Sequence, residues 1–141
     1  MELNRVKRYK DKTSRIFQDI VDIEEWTSSK EGFLEDRKTR LATYKAFQEA
    51  AEAVADIAAM MIKDTGEVPK DDYTNLEMLY EKKILSSELK NALKEVNGLR
   101  NRLVHDYNGI TDEIAYRSIM RLSKSVEEFA KAVEKWLSKK I

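Results

Sequence analysis

Apolar side chains recur every three or four positions along most of this chain, a spacing that suits helices and little else. Over residues 3–27 the stripe is Leu3, Val6, Tyr9, Ile16, Phe17, Ile20, Ile23 and Trp26, interrupted at Thr13. A period near 3.6 puts such residues on one side of an α-helix, whereas a half-buried strand would alternate. A second long helix is predicted over Leu34–Lys63, with Leu34, Leu41, Tyr44, Phe47, Ala51, Val54, Ala58 and Met61 on its stripe. A short helix follows over about Tyr73–Lys82, carrying Leu76, Leu79 and Tyr80. The next presents Leu89, Leu93, Val96, Leu99 and Leu103. The last, roughly 112–138, presents Ile114, Ile119, Leu122, Val126, Phe129, Val133 and Trp136 or Leu137.

The breaks between these stripes carry turn chemistry. Thr27–Gly32 is polar and ends the first helix. Asp64–Asp72 holds Gly66, suited to a helix C-terminus, and Pro69, which cannot continue one. Ser86-Ser87-Glu88 and Thr111-Asp112-Glu113 each place a capping hydroxyl before first-turn acids. Asn108-Gly109 is a stop signal. With one Pro and four Gly in 141 residues, turns are too few for an all-β chain. The expectation is an all-α fold, an antiparallel up-and-down bundle of four long helices and one short one. It should form a single domain over residues 1–141. The alanine-rich stretch Ala50–Ala59 could sit at the centre of that bundle or in a dimer seam.

Several function classes recede on composition. There is no cysteine, so disulfides and thiolate metal sites are excluded. One histidine without clustered ligands argues against a zinc site, and no cofactor is expected. No apolar run approaches the roughly 20 residues of a membrane span. Met1–Arg5 lacks the apolar core of a signal peptide, so a cytoplasmic location is expected. Lys and Arg total 26, as do Asp and Glu, and zero net charge is unlike a general nucleic-acid binder. A local basic groove remains open around Lys94, Arg100 and Arg102, with Arg117 and Arg121 a turn apart in the next helix. For most of these, solvated helix surface is the preferred reading. Glu52 and Asp56, four apart on one helix face, could be acid groups near an active site, but such a pair is more often a solvated face, and that reading is preferred.

The densest chemistry lies in Leu99-Arg100-Asn101-Arg102-Leu103-Val104-His105-Asp106-Tyr107. His105 can take or give a proton near neutral pH. Arg100 is a permanent cation whose planar fork fits phosphate oxygens. A base beside a phosphate clamp is a minimal kit for cleaving a phosphodiester. On a straight helix five residues turn about 500°, leaving Arg100 and His105 about 140° apart. Convergence would need a distorted helix, a swing of the long Arg100 side chain, or a second subunit. The alternative is a histidine packed between Leu103, Val104 and the core.

Arg100-Asn101-x-Leu103-Val104-His105-x-Tyr107 resembles the signature of the HEPN superfamily, the higher eukaryote and prokaryote nucleotide-binding helical domains. The tyrosine two residues after the histidine resembles its HepT branch, toxins encoded beside a small nucleotidyltransferase antitoxin, MntA. The resemblance implies a helical bundle acting as a homodimeric, metal-independent ribonuclease. Arg100 would hold the scissile phosphate and stabilise its developing charge, and His105 would be the base or the acid. Asn101 would position the phosphate or His105 through its amide, or simply cap or bond locally. Leu103 and Val104 read as packing residues. The products implied are a 2′,3′-cyclic phosphate and a 5′-hydroxyl. Tyr107 would be the residue that the nucleotidyltransferase partner silences by AMPylation.

One histidine per chain adds an argument of its own for the dimer. Acid–base cleavage of RNA uses two proton-transfer groups, and a two-fold axis would bring two copies of Arg100 and His105 to one groove. Two other readings remain open at this point. One is a non-catalytic helical subunit that binds a nucleotide or substrate for a minimal nucleotidyltransferase. The other is a plain helical interaction module.

Overall fold

Six helices, α1 (Leu3–Trp26), α2 (Lys30–Glu35), α3 (Arg37–Asp64), α4 (Asp72–Glu81), α5 (Ser87–His105) and α6 (Asp112–Ser138), build the described part of the chain. The computed structural model describes residues 1–105 and 110–141. Within these residues the fold is the expected all-α bundle. Four helices are long; the second short one, α2, takes up the end of the predicted turn together with Leu34 and Glu35, which the sequence placed in the second long helix, and α3 begins only at Arg37.

Local chemistry explains α2. The Ser29 hydroxyl accepts a hydrogen bond from the Gly32 amide at 3.0 Å and caps the helix. At its end Asp36 adopts an extended backbone, φ −110° and ψ 106°, so the chain turns before α3 begins. The Asp36 carboxylate then accepts from the Thr39 hydroxyl at 2.6 Å. This corner buries Phe33 completely, against the rings of Tyr44 and Tyr116.

α3 is the central element and packs against α1, α2, α4, α5 and α6. Its alanine-rich stretch is internal: Ala50, Ala51, Ala53 and Ala58 are all buried. Small side chains let neighbouring helices close on α3, leaving Phe47, Ile57 and Met61 to fill the middle of the core. Emptying a fully buried aromatic site of this kind typically costs about 3–5 kcal/mol. Three ion pairs, Arg5–Asp64, Lys12–Asp56 and Arg15–Glu49, show that α1 and α3 run antiparallel. Thr13 does not interrupt the buried face of α1. It is buried, because its hydroxyl bonds back to the Lys10 carbonyl at 3.1 Å and brings no orphan polar group into the core.

The start of α6 is tied down firmly. The Thr111 hydroxyl accepts from the Ile114 amide at 3.2 Å. Asp112 meets Tyr44 and Arg40, Glu113 meets Lys30, and the Tyr116 hydroxyl donates to the Thr27 carbonyl at 2.9 Å. The buried stripe of α6, from Ala115 through Phe129 to Leu137, closes the core over α1 and α5. No described helix is long and apolar enough to cross a membrane.

Candidate functional site

α5 starts where the Ser86 hydroxyl accepts from the Leu89 amide at 3.1 Å, with Glu88 in the first turn. Leu89, Leu93, Val96 and Leu99 face the core and fix the rotation of the helix about its axis. That rotation decides where the next two turns point. Arg100 follows the last buried leucine and lies half-buried at the bundle's edge, its side chain 28% exposed. His105, the last described residue of α5, is exposed, which sets aside the packed-histidine alternative.

The helix stays α-helical through His105, so distortion is not what would bring the pair together. The Arg100 side chain instead reaches across to α3. Its Nη2 donates to Glu52 Oε1 at 2.9 Å and its Nη1 to Asn101 Oδ1 at 3.0 Å. Its Nε is buried and has no partner among the described residues. Asn101 therefore acts on Arg100 and holds one arm of the fork. Two acceptors aim a guanidinium that still has N–H groups to offer a phosphate.

The sequence allows Glu52, with Asp56, as a pair of acids near an active site but favours solvated surface for both. The structure separates them: Glu52 holds Arg100, and Asp56 pairs with Lys12 of α1 at 3.3 Å. The only signal was a carboxylate on α3, with nothing to say which helix would lie opposite. Lys94 turns away from the motif and bonds Glu77 of α4 at 2.8 Å, and Arg121 pairs with Glu95 at 2.9 Å. Leu103 packs partly against the core, as read. Val104 does not: it is 44% exposed, because the helix face carrying it has no described neighbour to cover it. Tyr107 and the Asn108-Gly109 stop lie outside the described residues.

Glu52 also borders a groove of about 340 Å³ between α1 and α3, where Arg8, Lys12 and Arg15 confront Glu49, Glu52 and Asp56. Deeper in the same seam Asp19 is buried, with Oδ2 unpartnered. Burial pushes its carboxyl up to about 7, and the nearby charges of Glu49 and Asp22 add to the effect. Among the described residues no group of three or more His, Cys, Asp or Glu side chains is placed to hold a metal ion.

Against known proteins, residues 16–133 match the family described as Ribonuclease HepT-like. A protein of Archaeoglobus fulgidus named "Putative RNase" is 43% identical over 88 residues, which is 62% of this chain and 67% of that protein. A second protein of that name and organism is 30% identical over 130 residues, 92% of this chain and 94% of its own length. Among solved structures, the tri-AMPylated HEPN toxin of Shewanella oneidensis in complex with its MNT antitoxin superimposes with a TM-score of 0.84. It is 22% identical and covers 90% of this chain and 96% of its own. YutE of Bacillus subtilis, described as a cytosolic protein of unknown function, gives a TM-score of 0.81 at 16% identity, over 96% of this chain and 92% of its own. At those identities the structural likeness speaks for the fold.

Proposed function

The chain belongs to the HepT-like ribonuclease family, and from that membership we propose that it is a metal-independent endoribonuclease toxin of a toxin–antitoxin pair. The observation that supports this reading best is the pairing on one helix end of an aimed, half-buried Arg100 with an exposed His105. A fork held by Glu52 and Asn101 is preorganised for a phosphate, so little ordering cost remains when RNA arrives. RNA brings its own nucleophile, the 2′-hydroxyl. Arg100 stabilises charge on the phosphorane, and His105 moves a proton. The products are a 2′,3′-cyclic phosphate and a 5′-hydroxyl.

The working unit is a homodimer in the cytoplasm, with the Arg100 and His105 turns of both subunits facing one cleft. Exposed Val104, beside His105, suits burial in such a seam. The cognate partner is a minimal nucleotidyltransferase antitoxin that transfers AMP to Tyr107. The AMPylated state and antitoxin complex of the Shewanella oneidensis toxin support this part of the reading.

The test is cleavage of RNA by the purified chain in EDTA. Wild type should cut and leave cyclic phosphate ends, and His105→Ala should fold but not cut. Equal rates for the two would remove the catalytic assignment. Nucleotide binding without cleavage would select the alternative of a non-catalytic nucleotide-binding subunit.

A further inference from the structure

We propose that Glu52 is the proton acceptor of the cleavage reaction, with His105 as the proton donor. This rests on the ribonuclease reading above and goes beyond the Arg100/His105 pair. The reaction needs one group to take the 2′-hydroxyl proton and another to protonate the departing 5′-oxygen. The chain has a single histidine, so a second group must come from another residue type or another subunit. Among the described residues, the carboxylate that pairs with Arg100 is Glu52, at 2.9 Å. The other acids of the α1/α3 groove are committed elsewhere, Asp56 to Lys12 and Glu49 to Arg15.

Position and exposure both suit the role. In RNA the 2′-hydroxyl neighbours the scissile phosphate on the same ribose. A phosphate seated on the Arg100 fork therefore brings that hydroxyl beside whatever already touches the fork. The Glu52 side chain is 54% exposed and can be reached by a ligand. An ion pair whose carboxylate is this exposed is held only weakly against a competing anion. A phosphate dislodges the carboxylate from Arg100 at little cost and leaves it next to the nucleophile.

The step balances. Glu52 takes the proton from the 2′-oxygen as the 2′-oxygen–phosphorus bond forms. The phosphorus–5′-oxygen bond breaks, and the His105 imidazolium gives its proton to the 5′-oxygen. Arg100 stays cationic throughout. The chain is left with a protonated Glu52 and a neutral His105, and proton exchange with water restores both. On this account the acceptor at each Arg100 is the Glu52 of the same chain, and the donor is a His105 that faces the shared cleft.

The experiment compares wild type, Glu52→Gln and Glu52→Asp as full-length chains. Glutamine keeps an oxygen acceptor for Arg100 but cannot take a proton, which separates catalysis from positioning. Single-turnover cleavage of an RNA oligonucleotide is measured from pH 4 to 9, alongside binding of the same sequence 2′-O-methylated at the cut site. The expected result is a loss of about 100-fold or more in rate for Glu52→Gln. Its affinity for the methylated RNA should stay near that of wild type. Wild type should show a bell-shaped profile whose acidic limb disappears in Glu52→Gln and persists, at reduced rate, in Glu52→Asp. Wild-type rates in Glu52→Gln overturn the proposal. So does a rate loss that leaves the acidic limb in place, since that marks a positioning role. A wild-type chain that cuts no RNA at any pH overturns the parent reading instead.

Discussion

The Tyr44 hydroxyl donates a 2.5 Å hydrogen bond to Asp112, joining α3 to the first residue of α6. The contact pins the downstream end of the connection that follows the Arg100/His105 turns. Burial, and then the bond to the Asp112 carboxylate, hold the Tyr44 phenol well above its ordinary pKa, so it stays a donor. Tyr44→Phe keeps the ring against Phe33 and removes only the hydroxyl. It should destabilise the chain by about 1 kcal/mol in urea unfolding. An unchanged midpoint would show that Arg40, 3.3 Å from Asp112, suffices alone.

Arg100 is expected to matter for chemistry and little for stability. Its ion pair with Glu52 has one exposed partner, so Arg100→Ala should cost only about 1 kcal/mol of folding free energy. The same change should abolish RNA cleavage. Arg100→Lys should restore little, because a point charge does not reproduce a planar fork held by Asn101 and offered to a phosphate. Full rescue by lysine in a cleavage assay would show that charge alone is needed.

Light scattering at micromolar concentration should give about twice the 16.4 kDa chain mass. Val104→Asp should shift the sample toward monomer and lower the cleavage rate. An apolar side chain 44% exposed in one chain tolerates a charge there, while a seam between two copies does not. A wild-type monomer with full activity would remove the shared cleft.

Co-expression with the cognate nucleotidyltransferase should add one or more AMP units to Tyr107 and silence the nuclease. Each unit brings a negatively charged phosphodiester that competes with RNA for the Arg100 fork. Tyr107→Phe should fold normally and escape modification. Intact-mass spectrometry decides: no AMP-sized additions, or additions that persist in Tyr107→Phe, would refute the assignment.

Asp19 predicts a pH dependence of stability. In the folded chain its carboxyl keeps a proton up to about 7, whereas in the unfolded chain it releases one near the ordinary value of about 4. Between those values the folded state binds more protons, so this group's contribution makes stability fall as pH rises through the window. Asp19→Asn removes the penalty. It should match wild type at pH 4 and exceed it by roughly 1–3 kcal/mol at pH 8, since a buried polar group remains but the charge does not. Parallel unfolding midpoints for the two chains from pH 4 to 8 would clear Asp19 of this role.

By itself the sequence determined the helices, most of their ends, and the segment that carries Arg100 and His105. Those are short-range matters. Hydrophobic spacing, caps such as Ser86 and Thr111, and the Gly66–Pro69 break act within a few residues and can be read in order along the chain. It underestimated α2, because a six-residue helix capped by Ser29 leaves almost no periodic signal. Only the tertiary structure decided which side chains share a space. Thr13 enters the core because its own backbone satisfies it, Asp19 is buried in the α1/α3 seam, and Val104 stays outside. The same holds for the partner of Arg100. Glu52 lies 48 residues away in the chain, and no local pattern marks it out from the other acids of α3. What brings it to Arg100 is the rotation of two helices, set by the burial of Leu99 on one and of Ala51 and Ala53 on the other. Helical periodicity says which residues face inward, whereas packing decides which outward residues meet at the edge.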